Sequence, residues 1–139
     1  MAVIVGVLVD LLGTVIISVL FGSALGFYLL SQGVSQDELE AALIARLMQA
    51  PWNVIGMALG TAISALAGYV TAKIVKHGVY TFAGIVGCIS GILGYSSAHV
   101  HYSIPMNISL ALLTIASTLF GAFLWLRRNK PSTPVTTMQ

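Results

Sequence analysis

The sequence predicts an all-α integral membrane protein: a bundle of four transmembrane helices with one short external amphipathic helix. Three observations predict it. Of 139 residues, 58% are hydrophobic and only 7% charged, with a mean hydropathy of +0.97, whereas a soluble domain coats itself with about 25% charged residues. Four apolar runs, at about 3–30, 52–72, 79–98 and 105–126, reach the length needed to cross a hydrocarbon core, which is roughly 20 residues of helix. Stretches such as Leu11–Leu20 and Ala83–Leu93 lack the polar–apolar alternation of a barrel strand. Backbone groups in lipid must therefore be paired inside each segment, as helices.

The charge balance narrows the partners. Six Lys+Arg against four Asp+Glu give a net charge of +2. The high pI of about 8.9 reflects scarce acids rather than a basic patch, so the bilayer is the expected partner and nucleic acid is not. A single cysteine, Cys88, excludes an internal disulfide and a Cys-rich metal site.

The first run is longer than a bilayer requires. Either the helix tilts, or Met1–Asp10 starts at the interface and Leu11–Leu30 spans. No Lys or Arg precedes it, and its apolar stretch far exceeds a signal-peptide core, so a membrane span is expected rather than a cleaved leader. The loop that follows has its own structure. Ser35 and Glu38 have capping-box spacing, Asp37, Glu38 and Glu40 fall where a helix dipole favours negative charge, and Leu39, Leu43 and Leu47 share a face. A surface helix at about 36–49 is expected, with the Arg46 stem snorkelling outward.

The remaining connections set the orientation. Lys73 and Lys76 lie after the second span, and Arg127, Arg128 and Lys130 after the fourth. The positive-inside rule then puts both termini in the cytoplasm, with the chain in the cell (inner) membrane. Four spans require the termini to share a side, which agrees. Tyr28, Trp52 and Tyr102 fit one aromatic belt, and Tyr69, Tyr80 and Trp125 the other. The whole reads as a single transmembrane domain over 1–128, then a Pro- and Ser/Thr-containing tail, 129–139, expected to be a disordered cytoplasmic segment.

A weak internal repeat relates the second and fourth spans. They begin Pro51-Trp52-Asn53 and Pro105-Met106-Asn107. Further in, Thr61, Ser64, Leu66 and Gly68 match Thr114, Ser117, Leu119 and Gly121 at an offset of 53. Both spans run in the same direction, so the repeat would be two parallel hairpins.

Small residues recur at helical spacing. The second span carries Gly56, Gly60, Ser64 and Gly68, the third Gly84, Gly87, Gly91, Gly94 and Ala98, and the first Gly22 and Gly26. Such glycine-zipper-like rows let backbones approach closely in lipid. They suit packing within the bundle or contact with a second copy or another membrane protein.

Asp10 is the one acid inside an apolar run. A carboxylate at the centre of a span costs about 2.5–3.5 kcal/mol on insertion scales, so it marks an ionisable site. If Asp10 instead lies shallow, near the cytoplasmic face, Lys73, Lys76 and Tyr69 are its expected partners. The segment Val9-Asp10-Leu11-Leu12-Gly13-Thr14 is similar to the acid-x-x-Gly-Thr of the first helix in small multidrug resistance transporters. It departs from them in having Asp for Glu, a long first loop and unlike remaining helices, so nothing is carried over.

His99 and His101 could face one metal, but a zinc or copper site needs three or four ligands and no further His or Cys is expected on that side. His77 belongs to the basic loop. No P-loop, dinucleotide fingerprint or H-E-x-x-H is present, so neither an enzyme nor a cofactor is expected. The expected function is helix–helix association, as a homo-oligomer or accessory subunit of a membrane complex; the alternative is a small transporter or channel using Asp10 as an ionisable site. A polar, accessible setting for Asp10 would favour transport; a dry, packed one would favour association.

Overall fold

The computed structural model describes residues 1–75, 77–98 and 103–129. Its elements are all helical: α1 (Ala2–Ser31), α2 (Leu39–Leu47), α3 (Trp52–Ile74), α4 (Val79–Ala98) and α5 (Ile104–Arg128). Four of them, all but α2, are long and apolar enough to cross a membrane. Large apolar side chains along them, among them Leu12, Val19, Leu66, Ile92 and Leu112, are exposed. In a multi-pass membrane protein these are the surfaces that meet lipid.

Local chemistry sets the ends. α5 starts with Pro in its first turn, where the missing N–H has no intrahelical partner to lose. It stops at Asn129, whose side-chain amide donates to the Trp125 carbonyl (3.0 Å). Arg127 and Arg128 occupy the last turn, the favoured end of the dipole for cations. Gly78, with φ of +68° before α4, and Gly33, with φ of +89° after α1, take left-handed turns that favour glycine.

The loop helix is shorter than expected. α2 begins at Leu39, because Ser35 Oγ donates to Glu38 Oε2 (3.1 Å) instead of capping a backbone N–H. The two side chains of the expected capping box bond each other, and residues 35–38 form a turn. α2 lies against the C-terminal part of α1, where a Cβ on Gly26 would sit 3.9 Å from Leu43 Cδ1. Leu25 and Leu29 are buried in this region.

Aromatic pairs mark the two ends of the bundle. Trp52 packs on Phe21 and Tyr28, with ring centroids 6.2 and 5.9 Å away. At the other end Tyr69 meets Trp125 edge-on at 5.4 Å. These are called the Trp52 end and the Trp125 end below.

The tightest seam joins α3 and α5. A Cβ on Gly68 would collide with the Thr118 carbonyl, and one on Gly121 with the Ala65 carbonyl. The direction of a missing Cβ is the direction of a glycine hydrogen, so each Cα–H points at a carbonyl of the facing helix, a weak stabilising contact. Ala65 and Thr118 are separated by the same 53 residues as Gly68 and Gly121. The contact is therefore reciprocal: equivalent residues on two parallel helices exchange equivalent roles. This is the geometry of a local two-fold axis along the helices, and it relates the segments that the sequence offset pairs.

The core lies on the Trp125 side of this seam. Ala67, Ala72, Ala83, Val86 and Ala122 have no exposed surface. Gly6 of α1 completes the layer, its hydrogen facing the Thr71 hydroxyl and Val86.

Candidate functional site

α1 carries Asp10 into the bundle opposite α3. Ser64 Oγ donates to Asp10 Oδ1 at 2.9 Å, and Asp10 is only 5% exposed. The depth follows from the helix register. Ser64 lies twelve residues after the start of α3 and ten before its end. At about 1.5 Å per residue that places it roughly 15 Å or more from either end. Asp10 is thus level with the middle of a span.

This corrects the shallow placement and its expected partners. Lys73 is exposed in the last turn of α3, nine residues beyond Ser64, an axial separation of about 13 Å. Tyr69 is engaged with Trp125. Lys76 lies outside the described residues. The other described basic groups, Arg46, His77, Arg127 and Arg128, are in α2, a loop or the last turn of α5. The partner chosen for Asp10 is a hydroxyl.

Asp10 opens into a chamber of about 350 Å³ contributed by all four spans. α1 supplies Asp10, Leu11, Thr14 and Val15. α3 supplies Gly60 and Ser64, α4 supplies Ser90, Leu93 and Gly94, and α5 supplies Thr114. Leu11, Thr14, Val15, Leu93 and Gly94 are exposed. They belong to α1 and α4, so the mouth lies between these two helices.

The hydroxyls of the spans behave in two ways. Thr61, Thr71, Thr114, Ser117 and Thr118 each donate to a carbonyl three or four residues back in their own helix. That bond keeps a hydroxyl satisfied in lipid. Ser64 gives its proton to Asp10 instead. Ser90 is 7% exposed, and its Oγ has no hydrogen-bond partner. A buried hydroxyl left unpaired costs about 1–3 kcal/mol, and this one faces the chamber.

The glycine rows divide between two tasks. Gly68, Gly87 and Gly91 make close helix contacts. A Cβ on Gly87 would fall 2.9 Å from Ile115 Cα, and one on Gly91 3.4 Å from the Ala111 carbonyl oxygen. Gly84 and Gly56 have only ordinary contacts, at 3.9 Å to Leu119 and Phe21. Gly60 and Gly94 meet nothing within 4 Å; both line the chamber, where the missing side chains leave space. Gly22 also meets nothing and lines the α1–α2 groove. Within the rows, close approach is thus made by Gly68, Gly87 and Gly91, and open space lies beside Gly60, Gly94 and Gly22.

Sequence reasoning missed Ser90, Thr14 and Thr114. A signal existed for each. Ser90 lies on the same face as Gly87, Gly91 and Gly94. Thr14 is one turn beyond Asp10. Thr114 is matched by Thr61 in the repeat. His99, His101 and Tyr102 lie outside the described residues. Among the described residues, no group of three His, Cys, Asp or Glu is placed to hold a metal. Cys88 is exposed, in an apolar groove with Ile92 and Tyr95.

No family model, no curated protein and no solved structure matches the chain. The four spans make it a small multi-pass membrane protein; the chamber is the feature from which its role must be argued.

Proposed function

We propose that this protein is a small transporter or channel in which Asp10 is the ionisable site. One observation carries the reading: a carboxylate at the middle of the bundle faces a chamber to which all four spans contribute a hydroxyl, without a basic partner among the described residues. A purely structural acid would be expected in a dry contact with a cation. Intramembrane carboxylates that face a cavity within the bundle are the kind that handle ions or protons.

Helix association as the main role has less support. The closest glycine contacts are used within the chain, and two of the open glycines line the chamber. The same reading makes the protein a carrier rather than an enzyme. It also takes the Trp125 end, with Lys73, Arg127 and Arg128, as cytoplasmic.

Flux measurements in reconstituted vesicles test the proposal. Wild-type protein should carry a proton or cation current above that of empty vesicles. Asp10→Asn should reduce the current to background while the protein keeps its helical content and elution volume. A folded Asp10→Asn protein with wild-type flux would refute the assignment.

A further inference from the structure

We infer that the chamber binds one hard monovalent cation, held by Asp10 and by the hydroxyl oxygens of Ser64, Ser90 and Thr114. This rests on the transport reading of Asp10 and goes further by naming what the acid binds.

The argument begins with where the protons are. The Ser64 O–H is committed to a hydrogen bond with Asp10 Oδ1, and the Thr114 O–H to one with the Leu110 carbonyl (3.0 Å). Both oxygens therefore offer only lone pairs. Ser90 Oγ, more than nine-tenths buried, has no partner at all. Beside the Asp10 carboxyl the chamber therefore presents three hydroxyl oxygens with free lone pairs, Ser90 keeping an O–H that can turn away. Hydroxyl oxygens gathered around a carboxylate are matched by a cation, and hard cations prefer carboxylate and hydroxyl oxygen.

The four helices are unbroken where they line the chamber, so their carbonyls are committed to the helix ladder. Side chains must supply the protein ligands, and water the rest. One carboxylate balances one positive charge, which favours a monovalent over a divalent ion. The oxygens come from four different helices that line one chamber. A proton would occupy one carboxylate oxygen and leave the buried Ser90 hydroxyl without a role. At about 350 Å³ the chamber has room for an ion with several waters, each needing about 30 Å³.

The test measures thermal unfolding of the full chain in detergent. NaCl and KCl are titrated against choline chloride at constant ionic strength. Sodium or potassium should raise the unfolding temperature saturably in the wild type. Asp10→Asn should lose the response. Ser90→Ala should raise the half-saturating concentration by about tenfold or more. Without salt it should be at least as stable as wild type, because its removal deletes an unpaired hydroxyl. Thr61→Ala, on the opposite face of the α3–α5 pair, should respond as wild type does.

Several results would overturn the inference. One is no saturable effect of either ion. Another is a stronger response to calcium or to tetramethylammonium, and a third is a Ser90→Ala response equal to wild type. If no cation binds but Asp10→Asn still abolishes a proton flux in vesicles, this inference fails and the transport reading stands. If both cation binding and flux are absent, both fail.

Discussion

Toward the Trp125 end, Gly68 and Gly121 sit against carbonyls of the facing helix, and Ala67, Ala72, Ala83 and Ala122 have no exposed surface. At the chamber and beyond it toward the Trp52 end, Gly60, Gly94 and Gly22 have no atom within 4 Å of where a side chain would begin. The same residue type, repeated at the same spacing on the same helices, closes one part of the bundle and opens another. The difference lies in what the facing helix presents. Where α5 offers its backbone, glycine brings the helices together. Where the chamber opens beside Asp10, glycine leaves volume that a larger residue would fill. A row of small residues is thus a statement about space, and the facing surface decides how that space is used.

The largest test of this contrast is Gly68→Leu. Its side chain would have to displace the Thr118 backbone, so the loss should reach about 3 kcal/mol or more, read as a collapse of the unfolding temperature or of folded yield in detergent. Wild-type stability in this variant would mean the seam is not where the bundle is held. Next in size is Ser64→Ala, which leaves Asp10 Oδ1 with no donor and should cost about 1–3 kcal/mol, measured by chemical unfolding. Gly60→Ala should stay within about 0.5 kcal/mol of wild type, because nothing opposes the new methyl group. An effect as large as that at Gly68 would erase the distinction between the two regions. Reporter fusions at Gln49 and Gln139 should not alter stability, but they assign the two ends to compartments. The Gln49 reporter should be external and the Gln139 reporter cytoplasmic, and an external C-terminal reporter would reverse the bundle.

The spans were legible because apolar length and capping chemistry are local properties. The four runs end near Ser31, Lys73, Ala98 and Arg128, where polar, small or basic residues stop the pattern. The interior was only partly legible, because it depends on register between helices. Asp10 stood out from composition alone, but its depth did not, since its distance from the start of the chain says nothing about where α3 begins. That is why Lys73 and Tyr69 were expected beside it and Ser64 is found there. Ser90 was passed over because an isolated serine in a glycine-rich helix resembles every other small residue. Its unpaired Oγ becomes visible only once neighbouring helices bury it.

The reciprocal α3–α5 contact has a consequence for the order of assembly. Gly68 emerges during synthesis long before Thr118 and Gly121, and α4 must cross the bilayer between them. Until the last span has entered, α1, α3 and α4 can reside in lipid, each with its backbone satisfied, but the closest contact in the bundle has no second side. Insertion and consolidation are therefore separate events, with the second waiting on the C-terminal span. A nascent chain stalled before α5 should be inserted yet loose, with the Gly68 backbone open to whatever helix diffuses past. The protein is most vulnerable to wrong pairing in that interval, and the arrival of α5 ends it by occupying the groove with the chain's own matching helix.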